Sequence, residues 1–170
     1  MKKLLLGLVF LFFALCNCCE AKSIKFVQIT DTMYGKNNAN EILDNAVKDI
    51  NEMKDIDFVV FTGDNTANAN VDYLQGFVKS AKKLNKPFYI VVGDRDVSKS
   101  KHLEKEVYAK KLHKLLGRKS PETLNYTFKK GKVVFIAVDG AKDFITMPNG
   151  YFNSTTLEWL ENQINLNKDN

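Results

Sequence analysis

Past its twenty-first residue the chain has no cysteine; all three, Cys16, Cys18 and Cys19, lie ahead of that point. Disulfides cannot hold the rest of the fold together, and a cysteine nucleophile is excluded there. A Gly-x-Ser-x-Gly elbow is also missing, which removes the usual serine-hydrolase signal. Neither Gly-x-Gly-x-x-Gly nor a Walker loop occurs, so nucleotide-cofactor folds lose their support. The net charge of +5 is mild. It comes without the clustered arginine of a nucleic-acid binder, and no nucleic-acid partner is expected. The Lys-rich stretches 79–86 and 99–119 mix lysine with Leu and Glu at helical spacing and read as solvated helix faces. No internal repeat or low-complexity linker divides the chain, so one domain is expected.

The longest apolar run, Leu4 to Leu15, is shorter than the ~20 residues that span a bilayer. Lys2 and Lys3 precede it, and small residues follow at Cys19 and Ala21. This is the layout of a secretory signal peptide over residues 1–21, with cleavage after Ala21. A retained anchor and lipidation at one of the cysteines are the alternatives. With cleavage, residues 22–170 form the mature domain, secreted or periplasmic, with no stable membrane insertion.

From Ile24 onward, short β-rich runs alternate with helical stretches, the pattern of an α/β fold. Strands are predicted at Ile24–Thr30, Asp57–Thr62, Pro87–Val92 and Lys132–Asp139. Asn125–Lys130 pairs with the last of these through a Lys130-Gly131 turn. Helices are predicted over Ala39–Met53, Val71–Leu84 and Leu103–Leu116, the first two with an inward apolar stripe. Thr155 and Glu158 form a capping box for a last helix, Thr156–Leu166. Phe58, Phe61, Phe88, Tyr89 and Phe135 read as core.

The chemistry lies where the acids fall. Strand one runs into Thr30-Asp31-Thr32-Met33, strand two into Thr62-Gly63-Asp64-Asn65, and strand three into Val92-Gly93-Asp94-Arg95-Asp96. In an open α/β sheet, ligands bind at the carboxyl ends of the strands. Singly, each Asp reads as a cap or turn residue. Three on one edge point to a metal site, because converging carboxylates stay ionised only around a cation.

These ordered blocks resemble those of the calcineurin-like metallophosphoesterases, in particular their secreted, cyclic-nucleotide-phosphodiesterase-like branch. That family places Asp-x-His, Gly-Asp and Gly-Asn-His-Asp or Glu after its first three strands. Here the corresponding blocks are Asp31-Thr32-Met33, Gly63-Asp64-Asn65 and Gly93-Asp94-Arg95-Asp96. Gly150-Tyr151-Phe152 and Leu157-Glu158-Trp159-Leu160 are similar to its late Trp-Leu helix. The resemblance implies an α/β/β/α sandwich, here incomplete at the C-terminus. It also implies two divalent cations (Mn, Fe, Mg or Zn) that polarise a phosphate ester. Asp31, Asp64 and Asp94 are then the metal ligands, with Asp64 as the bridge, and Arg95 and Asp96 carry the catalytic positions, Asp96 behind the ligands.

The departures shape the expectation. Met33 stands where the family has a histidine, and a thioether is a poor ligand for these ions. Arg95 replaces a histidine and cannot donate a proton at neutral pH. His102 and His113, the two histidines, fall in or beside the third helix, and the family's later Gly-His-x-His block does not appear. The expected function is a metal-dependent hydrolase of phosphomonoesters or phosphodiesters with a partial dinuclear site, weakly active or inactive as this chain alone. The alternatives are a non-catalytic metal- or phosphate-binding relative and an exported α/β interaction domain. Self-association is expected where the family's last strands would pack.

Overall fold

The first three apolar runs lie side by side as β1 (Phe26–Ile29), β2 (Phe58–Thr62) and β3 (Phe88–Val91), all parallel, in the order β1-β2-β3. The register pairs Phe26 with Phe58 and Val60 with Tyr89, so these four residues share one face of the sheet. Val59, Phe61 and Ile90 share the other. The computed structural model describes residues 23–117, 120–144 and 149–168. The signal peptide expected over residues 1–21, with its three cysteines, lies outside the described residues, as does the end of the 99–119 lysine stretch.

Helices cover the Val59/Phe61 face. They are α1 (Ala39–Glu52), α2 (Val71–Ala81) and α3 (Lys105–Leu116). Leu43, Val47 and Ile50 of α1 and Leu74, Phe77 and Val78 of α2 are buried against Val59, Phe61 and Ile90. Phe61 meets Phe77 edge-on, with ring centroids 5.1 Å apart. The expected stripes turn inward except at Ile42, which was expected in the first and is 58% exposed. α2 stops at Ala81, where the Lys82 N–H bonds back to Val78 O, short of the predicted Leu84. α3 begins at Lys105, not Leu103, because Leu103 pairs with Ser98 across a short 3-10 turn.

The opposite face carries a hairpin of β4 (Tyr126–Lys130) and β5 (Val133–Ala137), antiparallel, with Lys130 facing Val133. The tight loop is therefore Gly131-Lys132, one residue later than the sequence suggested. Phe128 and Phe135, register partners, pack over Phe58, at 5.4 and 5.0 Å between ring centroids. Phe58 is fully buried, and burial of one such ring stabilises by roughly 2–3 kcal/mol. All five aromatics assigned to the core thus pack between layers.

α4 (Ser154–Asn167) packs against β5 and completes the mixed α/β arrangement. Its N-cap is Asn153, whose side chain accepts from Thr156 N–H at 2.8 Å. The Thr155/Glu158 capping box is thereby corrected, since Thr155 already lies inside the first turn. Leu157, Ile164 and Leu166 on α4 are exposed. No helix among the described residues is long and apolar enough to cross a membrane.

Candidate functional site

The ladder between the first two strands does not end with them. Asp31 N–H donates to Gly63 O (3.1 Å), Met33 N–H to Asp64 O (3.0 Å) and Tyr34 N–H to Asn65 O (3.0 Å). The loop after β1 is thus laid along the loop after β2. Asp31 (φ 55), Met33 (φ 49) and Asp64 (φ 50) all adopt the left-handed backbone. Non-glycine residues rarely do so, and each such turn costs of order 1 kcal/mol. Strain of this kind, repeated at two adjacent strand ends, is a mark of a functional edge.

The third loop closes on the second. Gly93 lies so near Asp64 that a Cβ there would collide with the Asp64 backbone nitrogen and Oδ1, so this approach requires glycine. Arg95 then grips Asp64 twice. Its backbone N–H donates to Oδ1 at 3.2 Å, and its Nε stands 3.3 Å from Oδ2. The Asp64 side chain is 17% exposed and that of Arg95 46%, so the arginine side chain is not enclosed by the contact. The Asp94 carboxyl stands beside Asp64. Burial first, then the charges of Asp94 and Asp96, push the Asp64 carboxyl up to about 6, against the pull of the Arg95 N–H.

Asp96 does not face this edge. It is wholly buried, and its carboxylate accepts five hydrogen bonds. Asn65 N–H (3.2 Å), Asn65 Nδ2 (2.9 Å) and Gly93 N–H (2.9 Å) donate to Oδ2. Thr66 N–H (2.8 Å) and Oγ1 (2.9 Å) donate to Oδ1. Its role is to tie the second and third loops, behind the residues it holds. Burial pushes its carboxyl upward, and the backbone donors of Gly93, Thr66 and Asn65 with the Thr66 hydroxyl pull the other way.

Of the expected site residues, the structure joins Asp64, Asp94 and Arg95, with Asp31 on the adjoining turn. The exposed Asp31 carboxylate accepts from its neighbour Thr30 Oγ1 at 2.6 Å. Among the described residues no group of three or more His, Cys, Asp and Glu side chains is gathered as a metal site. The guanidinium of Arg95 lies on the carboxylate that would bridge two ions, and no imidazole comes near. His102 ends the short 3-10 turn and His113 sits on α3, where Nδ1 meets Ser120. The residues present do not fit a paired-cation centre. Sequence reasoning missed Asn65, Thr66 and Tyr108, which frame Asp96. Asn65 and Thr66 directly follow Gly63-Asp64, a signal that was there to be read.

A sequence profile of the calcineurin-like phosphoesterase family matches residues 24–169. A probable glycerophosphodiester phosphodiesterase of Arcobacter nitrofigilis is 33% identical over 91 aligned positions, covering 48% of this chain and 33% of that protein. The aligned part of the chain thus spans about a third of that relative's length.

Proposed function

The chain belongs to the calcineurin-like phosphoesterase family, and from that membership we propose that its strand-end edge receives the phosphate of an ester, a phosphodiester before a monoester. The observation that carries this is the Arg95 side chain, its Nε 3.3 Å from Asp64 Oδ2 while the side chain as a whole stays 46% exposed. A planar guanidinium is suited to two-point contact with phosphate oxygens. The preference for a diester rests on the relative described as a probable glycerophosphodiester phosphodiesterase.

Turnover by this chain is weak or absent in this reading. Arg95 cannot protonate a leaving group, and Asp96 is spent on five donors. Two adjacent carboxylates, Asp64 and Asp94, offer a foothold for a single hard cation at modest affinity, with Mg, Mn or Ca taken before Zn. The lysine-led apolar start of the chain supports export. A mature N-terminus at Lys22 in the extracytoplasmic fraction is the matching observation, and an intact Met1 in that fraction contradicts it.

Calorimetry on the purified chain tests the reading. Inorganic phosphate should bind without added metal and lose that binding in Arg95→Ala, while a generic chromogenic phosphodiester is cleaved near background. Tight uptake of two zinc ions, or robust cleavage of the diester, overturns it.

A further inference from the structure

The two edges of the parallel sheet are finished differently. On the outer side of β3 the Tyr126 hydroxyl donates to Ile90 O at 2.9 Å, and Leu112, Leu116 and Leu124 line the groove beside that strand. The outer side of β1 has no such cover: among the described residues no strand pairs with it. Phe26, Gln28 and Thr30 are exposed, whereas Phe58, one strand further in, is fully buried.

The hydrogen bonds of β1 show what this edge offers. Lys25 O accepts from Asp57 N–H, and Asp31 N–H donates to Gly63 O. Backbone groups alternate in direction along a strand, so the odd-numbered residues of β1 serve β2. The N–H and C=O groups of Phe26, Gln28 and Thr30 therefore point away from the sheet. Edges are commonly blunted by proline, a bulge or an inserted charge. The run Phe26-Val27-Gln28-Ile29-Thr30 contains no proline, glycine or charged residue.

We infer that this edge is covered by the β1 of a second copy, paired antiparallel about a two-fold axis at Gln28, so that two three-stranded sheets become one of six strands. In an antiparallel pair, residues that exchange both backbone bonds must both point outward. Centring on Gln28 sets Gln28 against Gln28 and Phe26 against Thr30, and so uses all three outward residues of each copy. The same register sets Lys25 against the second copy's Asp31 at both ends, opposite charges on exposed residues. Lys25 is only loosely held within its own chain, 3.9 Å from Asp55 with both side chains more than half exposed. The hairpin layer reaches the same flank, where the Phe26 ring stands 5.8 Å from that of Phe135 and Phe26 and Val133 are both exposed. A two-fold axis normal to the sheet keeps both hairpins, with these apolar residues, on one side of the joint sheet. The pairing consumes the edge of each copy, so assembly through it stops at two. One strand pair is small beside a standard interface of about 1,600 Å², and the dimer is accordingly weak and concentration-dependent.

This inference goes beyond the phosphate reading and does not rest on it, since a chain that ignores phosphate can still dimerise. Sedimentation equilibrium of the purified chain between about 10 μM and 1 mM, with amide hydrogen exchange by NMR at both ends of that range, tests it. The wild-type chain should pass from monomer to dimer, and exchange at Phe26, Gln28 and Thr30 should slow by about tenfold with concentration. Gln28→Pro removes an outward N–H without touching a bond to β2 and should stay monomeric. Lys25→Glu sets an acid against the second copy's Asp31 and should weaken dimerisation by about tenfold. Lys110→Glu, the same change of charge on α3, should leave it as it was. Should Gln28→Pro fail to fold, the two lysine variants decide. A monomer at 1 mM overturns the inference, as does a dimer whose concentration-dependent protection misses these three amides. A monomer in which those amides are slow at every concentration places a segment of the same chain on the edge and overturns it too. So does Lys25→Glu dimerising like wild type.

Discussion

Arg95 holds Asp64 from two directions, through its backbone N–H on Oδ1 at 3.2 Å and its Nε near Oδ2 at 3.3 Å. A carboxylate held this way is neutralised by a fixed cation that the chain carries itself. The first prediction follows. Replacing Met33 and Arg95 together by histidine frees Asp64 and adds two imidazoles. Affinity for Mn or Zn should rise by about tenfold or more, while metal-free phosphate binding falls by a similar factor. Calorimetry of the double variant with each ion checks this, and cation affinity equal to wild type contradicts it.

The second prediction is a pH dependence. The Asp64 carboxyl titrates near 6 in the fold against 3.8 ordinarily, so between about pH 4 and 6 the folded chain keeps a proton that the unfolded chain has released. Stability from this group is therefore greatest below that window and declines as pH rises through it. Burial of Asp96 acts in the same direction. In chelator, Asp64→Asn should gain stability relative to wild type on going from pH 4.5 to pH 7. Urea midpoints for both proteins at both pH values provide the comparison, and a constant difference counts against the raised carboxyl.

Gly93 carries the third. A methyl group there meets the Asp64 backbone as well as its Oδ1, so one of the two loops must shift. Gly93→Ala should destabilise by about 1–3 kcal/mol and should disturb the Arg95 amide resonance. Denaturant unfolding that matches wild type would show that the approach is looser than described.

The last concerns the start of α4. Asn153 caps it, and Thr155 does not. Asn153→Ala should cost about 1 kcal/mol, while Thr155→Ala should change stability little. Equal losses in thermal unfolding would return the cap to Thr155.

The strands were legible because alternation and apolar runs are local signals, and each strand carries its own. The Asp-bearing turns were legible for the same reason: a glycine and an aspartate directly after a strand lie at its carboxyl end wherever the strand goes. That the three ends share an edge needed only parallel pairing, which helices between strands all but require. The capping error was local too. Asn153, Ser154 and Thr155 are adjacent cap-type residues, and the box with Glu158 favoured the wrong one.

Alone, the chain's order of residues determined an α/β fold with Asp31, Asp64 and Asp94 at one edge, because strand periodicity and turn chemistry act over a few neighbours. Only the tertiary structure decided which acids face outward. Asp96 is buried because Asn65 and Thr66, about thirty positions away, bring their donors to it. Asp64 is paired because Gly93 lets the third loop close on it. The burial and pairing of a charge depend on what surrounds it in space, and residue spacing along the chain does not carry that information.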